Sequence, residues 1–155
     1  MPELTELVTR LRAEGKRIVL TNGTFDVLHV GHVRYLQSAR ALGDVLVVGL
    51  NSDSSVRGYK GPGRPVVQQD ERAEILAALR CVDFVTIFDE PTATHIVEAL
   101  QPDVYAKGGD YDASTGKPLP EAEAVLAYGG RVEIIPYVAG RSASQLIEKM
   151  RDGTA

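Results

Sequence analysis

The chain has 155 residues, 44% of them apolar and 25% charged, which is the balance of a single soluble globular domain and excludes a disordered, fibrous or membrane-spanning protein. With 17 basic against 21 acidic side chains and a net charge of −4, nothing draws the whole molecule to nucleic acid or anionic lipid. Any polyanion it binds has to be held by a local cluster. The one cysteine, Cys81, excludes an internal disulfide and a cysteine zinc cluster, and reads as a small buried hydrophobe. No signal-peptide pattern follows Met1 and no apolar stretch reaches the length of a bilayer, so the expected compartment is the cytoplasm.

In chain order, Leu4, Leu7, Val8 and Leu11 predict an amphipathic helix closed by Gly15. The β-branched run 17–21 predicts a strand, Asn22-Gly23 a turn, and Tyr35, Ala39 and Leu42 one face of a helix over 31–42 ended by Gly43. Residues 45–50 are almost all apolar, as in a parallel strand covered on both faces. Gly58, Gly61, Pro62 and Gly63 predict that the polar stretch 51–65 is neither helix nor strand. A helix over 69–79 follows, with Ile75, Leu76 and Leu79 inward. Strands 84–88, 104–106 and 132–135 then alternate with helices 92–100, 121–128 and 144–151, leaving 152–155 as a frayed tail.

This alternation predicts an α/β, Rossmann-like, doubly wound domain over 1–155: a five-stranded parallel sheet with helices on both faces. Ligands of such folds sit beyond the carboxyl ends of the strands, where strand order reverses. The densest chemistry lies there, in Thr21-Asn22-Gly23-Thr24-Phe25-Asp26-Val27-Leu28-His29-Val30-Gly31-His32. His29 and His32 are about one helical turn apart at a helix start, so both rings can face one point, which the helix dipole and unpaired N–H groups make attractive to an anion. Gly31 between them lets a phosphate approach the backbone. Such a pair is open to metal ligation, acid–base work, hydrogen-bond donation to a phosphoryl group, or simple capping and burial. Metal ligation lacks a third ligand, since the remaining histidine, His95, lies in a distant helix and reads as a helix residue. Donation fits best, because charge in phosphoryl transfer spreads over non-bridging oxygens.

At this point the sequence resembles the nucleotidyltransferase superfamily marked by a His-x-Gly-His motif, here His29-Val30-Gly31-His32. The likeness extends through Asn51-Ser52-Asp53-Ser54-Ser55-Val56, the basic loop Lys60-Gly61-Pro62-Gly63-Arg64-Pro65, Lys107-Gly108-Gly109-Asp110-Tyr111 and Gly140-Arg141-Ser142. Within the superfamily it most resembles the stand-alone adenylyltransferases that make ADP-heptose from heptose 1-phosphate and ATP, and next the glycerol-3-phosphate cytidylyltransferases. The resemblance implies attack of an acceptor phosphate on the α-phosphorus of ATP (or CTP), with Mg²⁺ accompanying the triphosphate and pyrophosphate leaving. Nucleic acid and membrane are not expected partners, and a homodimer is among the assemblies allowed.

The resemblance also implies roles. His29, His32 and Lys60 would be catalytic. Thr24, Phe25, Gly31, Lys107, Gly108, Asp110, Arg141, Ser142 and Ser144 would bind the nucleotide, and Asp26, Asn51, Asp53 and Arg72 the acceptor. Each has a plainer reading. Lys60 can be a solvated loop lysine, Ser142 an ordinary N-cap, and Gly108-Gly109 a tight turn. Arg72 can be a surface residue, and Asp26 can orient the histidine loop or form an Asx turn. Ala143 stands where the superfamily more often has a hydroxyl, which puts one phosphate hydrogen bond in doubt. Residues 111–124 depart from the segment usual in the heptose enzymes. A non-catalytic nucleotide sensor is the rival from another class. A dinucleotide oxidoreductase is disfavoured, because Asn-Gly-Thr-Phe-Asp follows the first strand where Gly-x-Gly-x-x-Gly would be needed.

Overall fold

In the computed structural model, which describes residues 1–109, 119–136 and 142–153, every predicted apolar run is a strand. They are β1 (Ile18–Gly23), β2 (Val45–Asn51), β3 (Phe84–Phe88), β4 (Val104–Gly108) and β5 (Arg131–Ile135). All pair in parallel in the order β3-β2-β1-β4-β5. The chain leaves β1 in one direction through the sheet and later returns to its other side, so the switch point lies between β1 and β4. The helices are α1 (Pro2–Ala13), α2 (Val30–Arg40), α3 (Asp53–Lys60), α4 (Gln69–Ala77), α5 (Thr94–Leu100), α6 (Pro120–Ala127) and α7 (Ala143–Asp152).

Alternate strand residues feed two cores. Ile18, Leu20, Val45 and Val47 pack with Val8, Ile96, Val97, Leu100 and Val125 on the α1, α5 and α6 side. Val19, Leu46, Val48 and Leu50 pack with Leu36, Ala39 and Leu76 on the α2 and α4 side. Each such aliphatic side chain contributes about 1.5–3 kcal/mol of burial. At the edge where strands begin, carboxylates take the first amides: Asp103 accepts from the Ile18 N–H at 2.7 Å, Asp83 from Leu46 at 2.8 Å and Asp44 from Arg17 at 2.8 Å. Ile18 and Leu46 are fully buried, where an unpaired N–H would be costly. Among the described residues no helix is long and apolar enough to cross a membrane.

Four sequence expectations are corrected. Asn22 and Gly23, read as a turn, are the last two residues of β1, paired with Gly49 and Leu50. Residues 53–60 are helical: the Ser52 hydroxyl accepts the Ser55 N–H at 3.2 Å, Asp53 sits in the first turn, and Val56 is fully buried. Gly58 costs such a helix about 1 kcal/mol relative to alanine, which the cap and the buried anchor outweigh. Gly61, at φ 85°, ends it. In α4 the inward row is Arg72 and Leu76, with Leu79 beyond the helix end, whereas Ile75 is 44% exposed. Ile75 flanks that row and lines a shallow cleft with Phe25, Asp26, Leu28, Val67 and Arg72. Asp152 is the last residue of α7, not part of a tail, and Gly153 caps it in the left-handed conformation.

Candidate active site

The loop after β1 is built around a tight fold of backbone. Phe25 adopts φ 44°, unusual for a residue with a side chain, and its ring turns back over Gly23, where a Cβ would stand 3.0 Å from the ring. The ring is buried and meets His32 edge-on at 5.6 Å. Beneath the loop, Thr21 and Tyr35 share a hydrogen bond of 2.7 Å, and the Tyr35 hydroxyl donates to the Ala106 carbonyl at 3.2 Å, tying β1, α2 and β4 together.

His29 is the N-cap of α2 and His32 its third residue, and the two cap the helix reciprocally. The Gly31 N–H donates to His29 Nδ1 at 3.1 Å, and the His29 N–H to His32 Nδ1 at 3.3 Å. The sequence predicts open amides at this helix start; the imidazoles take two of them, those of His29 and Gly31. Because each Nδ1 is an acceptor, each neutral ring carries its proton on Nε2 and presents it as a donor. The ring centroids lie 4.0 Å apart. Burial lowers the His32 pKa to about 4, helped by the charges of His29 and Lys60 and opposed by Asp26. His32 is thus a neutral donor at physiological pH.

The second wall is the segment after β2. Asp26 is buried and accepts from Arg64 Nε at 2.9 Å, from the Val66 N–H at 2.9 Å and from the Val67 N–H at 3.0 Å. Its hydrogen bonds to residues 64, 66 and 67 clamp that segment to the histidine loop. Burial pushes its carboxyl up, but the amides of Val67 and Val66 and the Arg64 guanidinium outweigh this and hold it below the usual range. Lys60 ends α3 beside this clamp, and its ammonium is made less basic by burial and by Arg64. The expectation of a long unstructured loop around Lys60 thus gives way to a capped helix end followed by a pinned segment.

Arg72 is 1% exposed, which removes the surface reading. Its guanidinium donates to Val67 O at 2.9 Å, Thr24 O at 2.6 Å, Asn51 O at 2.9 Å and Asp53 Oδ1 at 2.7 Å. With four protein oxygens engaged, it ties α4 to Thr24, to the 51–53 segment and to Val67. Asn51 donates to the Ser55 hydroxyl at 3.1 Å, and the Asp53 N–H to Gln69 Oε1 at 2.9 Å. Arg72 thus joins Asn51 and Asp53 to the Val67 segment that Asp26 holds. The Thr24 hydroxyl is hydrogen-bonded to the Tyr59 hydroxyl, which joins α3 to the histidine loop.

Across the switch point, Lys107 and Gly108 end β4, and Lys107 Nζ donates to Asn22 Oδ1 at 2.7 Å. The Tyr105 hydroxyl reaches the same oxygen at 2.5 Å. Gly49 makes room: a Cβ there would lie 3.2 Å from Asn22 Cβ. The Ser142 hydroxyl caps α7 through the Gln145 N–H at 3.1 Å, and Ser144 lies in its first turn. Asp110 and Arg141 lie outside the described residues. His95 stays in α5, near Phe88 and Glu90, and Cys81 is half-buried with a thiol pKa raised by burial. Among the described residues no group of three His, Cys, Asp or Glu side chains could hold a metal ion.

Four residues of this site escape a reading of the sequence: Asn22, Tyr59, Arg64 and Tyr105. Only Arg64 carries a sequence signal, a cation in a glycine-proline run. The others are brought in by strand register and by the helix that the glycines conceal.

Residues 20–137 match the family described as cytidylyltransferase-like. The chain is 56% identical over 151 residues to the bifunctional protein HldE of Geotalea uraniireducens, covering 97% of this chain and 30% of that protein. To the bifunctional protein HldE of Geobacter sulfurreducens it is 53% identical over 149 residues, covering 95% and 29% respectively. The chain thus spans about three tenths of the length of these relatives. A crystal structure of the lipopolysaccharide core biosynthesis protein from Thermoplasma volcanium GSS1 superposes with a TM-score of 0.63 at 28% identity, over 79% of this chain and 97% of that one.

Proposed function

We propose that this chain, which belongs to the cytidylyltransferase-like family, transfers AMP from ATP to a sugar 1-phosphate, heptose 1-phosphate, and releases pyrophosphate. The observation that carries the reading is the histidine pair: two rings 4.0 Å apart whose Nδ1 atoms are fixed by backbone amides, so that Nε2–H is the donating edge. An oxygen of the acceptor phosphate attacks the α-phosphorus. The bond from that phosphorus to the bridging oxygen breaks, and its electron pair leaves with pyrophosphate. The acceptor phosphate is already ionised at neutral pH, so the step needs charge stabilisation and no general base. His29 and His32 donate to the non-bridging α-oxygens, Lys60 meets the triphosphate from α3, and Lys107 faces the nucleotide from β4. Magnesium enters as part of the triphosphate substrate, keeping several of its waters. The heptose assignment is supported by the HldE relatives and by the sequence resemblance.

Pyrophosphate release, measured for ATP and CTP each against heptose 1-phosphate, other sugar 1-phosphates and glycerol 3-phosphate, tests the reading. Release with ATP and heptose 1-phosphate is expected. Release only with CTP overturns the adenylyl assignment, release only with another acceptor overturns the heptose one, and none with any pair overturns transferase activity.

A further inference from the structure

Arg64 is the one cation of this region whose guanidinium is only half engaged among the described residues. Its side chain is 18% exposed, and Nε is held at 2.9 Å by Asp26. Nη2, by contrast, is buried with no hydrogen-bond partner. A buried donor left without an acceptor is costly, more so when charged, and native structures tolerate one chiefly where something else supplies the acceptor. Asp26 cannot, because its two oxygens already receive Arg64 Nε and the Val66 and Val67 amides. The nearest cation to act on it is Lys60, itself half-buried. Lys60 and Arg64 oppose each other electrostatically, and Asp53 already compensates Arg72. Such a neighbourhood calls for an external group rich in oxygen acceptors and negative charge.

We propose that Arg64 is a phosphate-binding residue of the transfer site, its Nη2 edge and the Lys60 ammonium closing on the oxygens of one phosphoryl group. The guanidinium suits this because it carries five donors in one rigid plane: Nε is spent on the Asp26 clamp, which fixes the plane, and Nη2 remains without an acceptor. A lysine can serve one of these partners, not both. The inference rests on the transferase reading for the ligand's identity, but its test can be run without turnover.

The experiment compares the wild type with Arg64→Gln and Arg64→Lys by calorimetric binding of inorganic tripolyphosphate, in place of the nucleotide's phosphates, and of heptose 1-phosphate for the acceptor's. Thermal melting of each variant accompanies the binding. Loss of one charge-assisted hydrogen bond weakens tripolyphosphate binding by on the order of tenfold or more in Arg64→Gln, with a smaller loss in Arg64→Lys. A loss confined to heptose 1-phosphate assigns Arg64 to the acceptor phosphate instead. Unchanged affinity for both ligands in either folded variant overturns the proposal. Arg64→Lys keeps a cation for Asp26 and so decides the matter if Arg64→Gln does not fold. Should the wild type turn over no substrate pair while tripolyphosphate binding still depends on Arg64, the transferase reading fails and this one stands. If the wild type turns over and Arg64→Gln matches it in kcat and in both KM values, the reverse holds.

Discussion

A proton's position decides what each histidine can do. Backbone amides occupy both Nδ1 atoms, so the rings are donors through Nε2. Replacing His32 by alanine removes one donor from the transition state and lowers kcat by about 10²–10³, with a smaller change in KM. Initial-rate kinetics check this, and equal turnover would sink the role. The low pKa of His32, about 4, makes a separate prediction. In the unfolded chain this ring protonates near its ordinary value, so its contribution to stability is complete above about pH 6.5 and is lost as the pH falls toward 4. Urea titrations should show that loss, His32→Gln should flatten it, and the ring's NMR shifts should titrate near 4 in the folded protein. Arg72 makes the opposite case, a permanent charge made safe by four oxygens. Arg72→Met leaves Asp53 and three carbonyls without it and costs about 3–5 kcal/mol by the usual penalty for breaking a buried pair, read as a lower urea midpoint. The sequence made the histidines legible because cap, glycine and partner ring lie within four residues. It hid Asp26–Arg64 and Arg72–Asn51, because those pairs exist only once segments 38 and 21 positions apart are folded together.

Strands of a parallel sheet are the most readable elements, since both faces are covered and the run has to be apolar throughout; all seven residues of β2 are buried. Helix α3 was unreadable for the opposite reason. It buries one apolar side chain, Val56, and contains Gly58, so neither periodicity nor propensity betrays it, and its signal is reduced to the Ser52 cap. A paired substitution separates the two uses of glycine here. Gly58 lies in helix with open space about it, so Gly58→Ala should raise stability by about 0.5–1 kcal/mol. At Gly43 a Cβ would stand 2.7 Å from Val19 Cγ2 and 2.8 Å from the Arg17 carbonyl, so Gly43→Ala should lower it. Melting temperatures that move together would contradict this account.

Three segments distant in sequence meet only because the strand order sets β4 beside β1 and β2 on its other side. The histidine loop, the end of α3 with its clamp, and the end of β4 then surround one edge of the sheet. Cationic and donor groups gather there in a protein whose net charge is −4. Triphosphate binding should therefore weaken as sodium chloride rises, through screening of a local positive site, and titration calorimetry across a salt series measures it. A salt-independent affinity would mean that the cluster does not set the binding.

The carboxylates of Asp44, Asp83 and Asp103 do more than fill the amides where the strands begin. They stand at the far rim of the sheet from Lys60, Arg64 and Lys107, and Asp83 is itself paired there with Arg40 at 3.1 Å. An anion meets carboxylates where the strands begin and cations where they end. For the proposed transferase, the net charge of −4 is thus arranged so that the strand ends remain the place for a triphosphate.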